Sequence, residues 1–383
     1  MRQHEITRER PLLDSNGNIA EPGFARSLLP VYRRADVKAP AHRIKEWDYY
    51  LVNNGRYALA LTVDDNGYMG LDSISFLDFE NLWQQTVSPM CAFPLGRRRM
   101  PESSKTGDVS ASGKGYEIAF RHTPEGRLLL FRMENFASGR PIEGRVLLTD
   151  EPEESMVICT PFRKRGHFYF NQKINCMRAS GWVSVRGRRY EFEPETAFAV
   201  LDWGRGVWTY HNTWYWGSAS GAVDGVPFGW NIGYGFGDTS AATENMLFYD
   251  GRAHKLGRVT FNIPRRGGDF AYLSKWTFTS DEGRFEMDFQ PVLDRAACTD
   301  AKLIKSDQHQ VFGRFTGTAV LDDGTKLRVK DFPGFAERVE NKWENERKKL
   351  PRDTGGVLLS LRLILCSCRR VCPLPWGLSS SSR

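Results

Sequence analysis

Six turn signals cut the middle of this chain into short segments. They are Asn53-Asn54-Gly55, Asp65-Asn66-Gly67, Pro124-Glu125-Gly126, Asp250-Gly251, Asp281-Glu282-Gly283 and Asp323-Gly324. Asn-Gly and Asp-Gly readily supply the positive φ angles that tight hairpins need. Between the turns, apolar and polar residues alternate. Tyr116, Ile118 and Phe120 interleave with Glu117, Ala119 and Arg121; Val259, Phe261 and Ile263 with Arg258, Thr260 and Asn262; Phe285, Met287 and Phe289 with Glu286 and Asp288. A period of two puts one apolar face on a strand. Roughly sixteen to twenty strand candidates follow, at the spacing of sandwiches or barrels. So many strands in one open sheet would leave exposed edges, which barrel closure removes. The expectation is an all-β chain of two consecutive antiparallel β-barrels or half-barrels, about eight to ten strands each. Helical periodicity shows only at 335–350.

The divisions expected are an extended N-terminal arm at 1–45, where Pro11, Pro22, Pro30 and Pro40 prevent a long helix, a first β-domain at 46–195, a second carrying the ligand pocket at 196–345, and a divergent, disordered tail at 346–383. Residues 96–115 read as a long polar loop. The net charge of +7 is uneven: residues 351–383 hold five Arg and one Asp, leaving +3 for the body. Without a concentrated basic field, no specific nucleic-acid partner is expected. The basic runs at Arg97–Arg99 and Arg163–Arg165 read as solvated turns. None of the seven Cys forms a Cys-x-x-Cys pair or a zinc-type spacing, so neither metal nor cofactor is expected. The polar N-terminus has no apolar signal-peptide core, and no apolar run reaches about 18 residues. A cytoplasmic protein with reduced thiols is the expectation. Peripheral membrane contact and oligomeric state stay open.

Chemistry concentrates in one window. Ten of the 34 residues from Trp203 to Phe236 are aromatic, and five of the eleven Trp lie there. Trp214 and Trp216 share a strand face, with Tyr215 on the other. Indoles and phenols offer broad apolar area with a polar handle, as a ligand cavity requires; a packed barrel core is the alternative. Polar groups are interleaved: Asp202, Arg205, His211, Asn231, Glu244 and Asn245. A carboxyl walled by indoles has a raised pKa and can donate a proton near neutrality. Asp202 and Glu244 are therefore the candidate acids, and Trp203, Arg205, Trp208, His211, Trp214, Trp216, Asn231 and Asn245 the candidate ligand-binding residues. The competing role for Asp202 is an ion pair with Arg205 or a turn cap; for His211 and His309 it is a hydrogen-bonded structural histidine.

Several strings resemble the family of domain of unknown function 2804: Arg43-Ile44-Lys45-Glu46-Trp47-Asp48-Tyr49-Tyr50, Gly70-Leu71, Ser75-Phe76-Leu77-Asp78-Phe79, Asp202-Trp203-Gly204-Arg205-Gly206, Trp214-Tyr215-Trp216, Glu244-Asn245 and Gly334-Phe335-Ala336-Glu337. The resemblance covers about residues 8–343. That family is distantly similar to calycin-type carotenoid hydratases and AttH-like proteins, which implies two lipocalin-like barrels. It also implies that Asp202, Trp203, Gly204, Trp214 and Trp216 lie in the ligand-binding barrel, with Asp202 as proton donor to a double bond. Leu201 and Trp203 stand where the hydratases carry His. The expected function is binding of an apolar small molecule, lipid or isoprenoid-like, with acid-catalysed chemistry of a lyase (hydratase) or isomerase type if the protein is an enzyme. The alternatives are a non-catalytic lipid carrier and a carbohydrate-binding protein.

Overall fold

The strand Lys45–Asn53 sets the pattern for the molecule. Its even-numbered residues Tyr50 and Val52 enter one hydrophobic core, while Tyr49, Leu51 and the flanking Trp47 enter another. Both faces are covered, so apolar residues occupy both. The computed structural model describes residues 3–209, 211–301 and 304–343. The 346–383 tail lies outside them. Among the described residues, no helix is long and apolar enough to cross a membrane.

The described chain is nearly all-β and forms two half-barrels, each an up-and-down antiparallel meander curled on itself. In the first, strands run in order 83–87, 69–78, 57–65, 45–53, 198–207, 168–185, 140–149, 126–137, 116–123 and 109–113, with short strands attached. The earliest strand of this meander, Lys45–Asn53, pairs with the latest, Phe198–Val207. The second repeats the plan with nine strands. Here His211–Val223 pairs with Lys326–Trp343, and the two edge strands, Arg252–Lys255 and Val259–Asn262, are consecutive in the chain. All six turn signals lie at strand-to-strand hairpins.

Three expectations shift. The chain changes sheets between Val207 and His211, past the 195/196 seam, because Phe198–Val207 pairs on both sides within the first sheet. The helical pattern at 335–350 is overridden through Trp343, where Lys326–Trp343 lies between two strands; Phe335 and Ala336 serve different cores, as a period of two requires. The 96–115 loop contains a strand, Val109–Gly113, paired with Tyr116–Phe120. The N-terminal arm is extended but packed: Ile6, Leu12, Phe24 and Tyr32 are buried, and Gly23–Ala25 pairs with Val157–Cys159.

The second half-barrel is filled from within by Phe228, Trp230, Trp276, Phe278, Phe289 and Phe315, all nearly solvent-free. Two further cores lie between the half-barrels. One joins Tyr49, Leu51 and Val200 to Trp216, Phe312 and Phe335; the other joins Phe24, Ile158 and Tyr169 to Met246 and Phe248. The half-barrels therefore meet through their outer faces.

Candidate functional site

Cross-strand register on those outer faces assembles a buried polar group. In the first sheet, Asp202 stands directly between Tyr49 and Lys173. In the second, Arg295, Gln310, Glu337, Trp216 and Gly233 follow one another across five strands. The rows face each other. The Lys173 Nζ lies 3.9 Å from the Trp216 ring centre, and the Tyr49 ring meets Trp216 edge to face at 5.9 Å.

Asp202, only 8% exposed, forms an ion pair with Lys173 at 2.8 Å. Asn171 Nδ2 donates to the same Oδ1 at 2.6 Å. Glu337 accepts from Trp214 Nε1 at 3.0 Å on one oxygen and from Gln310 Nε2 at 3.1 Å on the other. Trp216 Nε1 donates to Asn231 Oδ1 at 2.7 Å, and Asn231 Nδ2 donates to the Glu244 backbone carbonyl at 2.9 Å. The Glu244 carboxyl lies over Gly233, where an added Cβ would fall 2.7 Å from Oε1. From the arm, Gln3 Oε1 accepts from the Thr243 backbone N–H at 2.7 Å, tying down the loop that carries Glu244.

Desolvation dominates the electrostatics. Burial pushes Glu337 up to about 7 against the Trp214 hydrogen bond and the charges of Arg295 and Lys173, and Asp202 adds to the rise. Burial also raises Glu244; Lys173 opposes the rise and Asp202 reinforces it. Burial pushes Tyr49 to about 12 and raises Tyr169 well above the ordinary phenol value, with Glu244, Asp202 and Glu337 contributing. The three carboxyl groups thus act on common neighbours, with Lys173 as the ammonium shared among them. Tyr49 Oη, Asn171 Oδ1 and Gln310 Oε1 are buried without a hydrogen-bond partner. Tyr49 and Gln310 are close enough to interact electrostatically but fall outside hydrogen-bond geometry. Orphaned buried polar atoms are rare and mark strain or a role in binding.

One end of this layer is aromatic. Phe236 packs edge-on against Tyr169 at 5.0 Å, Phe162 at 5.3 Å, and Trp208 and Trp214 at 5.5 Å. Trp47 bridges Trp208 at 5.3 Å and Tyr169 at 6.2 Å. Its indole occupies the space above Gly204, where an added Cβ would fall 1.9 Å from Cζ2.

The structure thus brings together Asp202, Glu244, Trp208, Trp214, Trp216 and Asn231, and separates the rest. Trp203 faces the interior of the first half-barrel, edge-on to Phe170 and under the Arg205 guanidinium at 4.1 Å. Arg205 is fully buried on that inner face and pairs with Asp48 at 3.1 Å, so it is not the partner of Asp202. His211 is exposed at a strand start. Asn245 holds the loop, accepting from Gly233 N at 2.7 Å and donating to Gly257 O at 2.8 Å. Asp202 itself belongs to the first sheet, not the second. The window reading missed Lys173, Glu337, Tyr49, Tyr169, Trp47, Asn171 and Gln310. One signal was present: Asn171-Gln172-Lys173 is a polar triplet between the apolar residues Phe168-Tyr169-Phe170 and Ile174 of the strand Phe168–Val185.

Among curated proteins, none matches the chain in sequence. Several solved structures resemble it, among them the following two. An AttH-type protein from Nitrosomonas europaea is 14% identical, covers 78% of this chain and 92% of its own, and superposes with a TM-score of 0.48. Kievitone hydratase from Nectria haematococca is 10% identical, covers 88% of this chain and 98% of its own, and gives a TM-score of 0.44. The model of a family described as domain of unknown function (DUF2804) matches residues 3–343, nearly all of the described chain, and the protein belongs to that family.

Proposed function

We propose that the layer between the half-barrels binds an apolar small molecule and carries out acid–base chemistry on a carbon–carbon double bond, as a hydratase or isomerase. The observation that carries this reading is the grouping of Asp202, Glu244 and Glu337 around Lys173 beneath indole walls. Like charges in a poorly solvated site disfavour full ionisation, so a proton is retained near neutral pH. Glu337, raised to about 7, is the group best placed to hold it. The roles expected from sequence therefore divide: Glu337 is the acid, and Asp202, in its ion pair, the base.

In the forward step the Glu337 O–H bond breaks and its proton forms a C–H bond on the alkene. The adjacent carbon becomes cationic, and the faces of Trp214 and Trp216 stabilise it. In hydration, a water oxygen bonds to that carbon and Asp202 takes the water proton. In isomerisation, Asp202 takes a proton from a neighbouring carbon and the double bond re-forms there. Either way the proton returns to Glu337 through solvent. Tyr49 Oη and Gln310 Oε1, both without partners, are suited to hold the water.

The test is solvent-isotope incorporation. Native mass spectrometry identifies an apolar adduct, which is then incubated with the full chain in D2O beside a panel of isoprenoid and unsaturated fatty-acid alkenes. Carbon-bound deuterium in the recovered ligand supports the reading; tight binding without deuterium makes the protein a carrier. Turnover should be full below about pH 7 and fall above it, because the proton donor is then lost. E337Q should remove turnover and D202N should lower it by about 100-fold or more.

A further inference from the structure

Lys45 is a buried cation at the aromatic end of the candidate site. It is the first residue of a strand whose next outward residues, Trp47 and Tyr49, line the proposed site. Its side chain is nine-tenths buried, with 9% exposure. Its Nζ lies 4.6 Å from the Tyr68 ring centre and 5.1 Å from that of Trp208. Among the described residues no carboxylate reaches it within ion-pair distance. Asp64 and Asp65 attract it from beyond ion-pair distance, yet burial outweighs them and, together with Arg43, pulls its pKa down to about 7. Trp208 is also part of the aromatic end of the site, through Trp47 and Phe236.

The same end carries further positive charge. Phe162, packed on Phe236, leads directly into the exposed turn Arg163-Lys164-Arg165. Arg43 Nη2 donates to the Trp208 carbonyl at 2.6 Å. Burial, Lys164 and Arg43 together depress the pKa of His167 at the base of that turn, so the positive field converges there. A basic turn beside a buried ammonium and a ring of indoles is more than a solvated loop.

We propose that the ligand of the inter-barrel site is an apolar molecule bearing one terminal anion, a carboxylate or a phosphate, which is held by Lys45 at the Trp208 end while the apolar body runs along Trp47, Trp214 and Phe236 toward Asp202. This rests on the apolar-ligand reading above and narrows it to amphipathic anions. The Arg163–Arg165 turn draws such a ligand in, and Lys45 gains a direct ion pair, which neither Asp64 nor Asp65 makes with it.

Four twelve-carbon probes test it on the full chain, followed by tryptophan fluorescence: dodecanoate, dodecyl phosphate, 1-dodecanol and dodecyltrimethylammonium. The expected result is that the anions bind about tenfold more tightly than dodecanol and that the cation binds weakest. Whichever anion binds tighter identifies the headgroup. K45M, close in volume to lysine, should bring both anions down to the affinity of dodecanol. Should K45M fail to fold, the exposed triple substitution R163Q/K164Q/R165Q should reduce the anion preference about threefold. Equal binding of dodecanol and the anions, or an anion preference that survives K45M or the triple substitution, overturns the inference and leaves the apolar-ligand reading standing. Binding of none of the four sinks both.

Discussion

The two half-barrels share a winding plan but fill their interiors differently. The second holds aromatic rings: Trp230 alone packs against Phe228, Phe285, Phe315 and Phe332 within 6 Å. The first buries charge. Arg205 pairs with Asp48, Glu46 accepts from Tyr32 at 2.9 Å, and Arg127 reaches Glu151 at 2.7 Å while also touching Tyr50. Neither interior hosts the candidate site. In this family member the candidate site lies where two outer faces are pressed together, outside both the oily interior and the ionic one.

The sharpest way to break that contrast is to remove one member of a charge pair. R205M leaves the Asp48 carboxylate buried and alone, and should cost about 3–5 kcal/mol by chemical denaturation. W230A should cost a similar 3–5 kcal/mol through the cavity it leaves. The distinguishing experiment is the double variant R205M/D48L. If the first interior is merely structural, removing both charges should recover most of the loss; a double variant no better than R205M would mean that the pair fixes something packing cannot. A smaller effect is expected at the contact between the halves. G204A drives a methyl into Trp47, and should cost about 1–3 kcal/mol and shift tryptophan emission. Unchanged emission would mean that Trp47 does not rest where the contact places it.

The smallest effect concerns pH. His309 in the second half-barrel lies between Asp294 at 2.6 Å and Asp307 at 3.3 Å, stacked on Tyr272 at 3.8 Å. Burial lowers its pKa, but the two carboxylates outweigh this and the net shift is upward. A raised folded value makes its contribution complete below the usual histidine range and lost as pH rises through the folded value. The chain should therefore melt at a higher temperature at pH 6 than at pH 8.5 by an amount that H309Q abolishes. An unchanged difference in H309Q would assign the effect elsewhere.

Much of the fold is legible in the chain because its signals are local. Each Asn-Gly or Asp-Gly turn acts on its immediate neighbours, and the alternation at 116–121 or 285–289 reads out directly as strand. Part of the site is legible for the same reason: Asp202, Trp214 and Trp216 fall within fifteen residues. The rest is not, since Lys173 reaches Asp202, and Glu337 reaches Trp216, through strand register. Register depends on which strands become neighbours, and that is a property of the assembled sheet. Arg205 illustrates the converse. Three residues from Asp202, it looks like a natural partner, yet an odd separation on a strand sends the two side chains to opposite faces.

The pairing of earliest with latest strand has a consequence for synthesis. As the chain leaves the ribosome, Lys45–Asn53 must wait for about 150 further residues before Phe198–Val207 arrives to cover its open side, and His211–Val223 waits for about 100 before Lys326–Trp343. Until then each nascent meander offers a bare hydrogen-bonding edge that carries tyrosine and tryptophan, the kind of template that recruits another chain. Such distant closures are slow. Translation speed and chaperone supply, more than final stability, should therefore govern how much of this protein a cell recovers in soluble form.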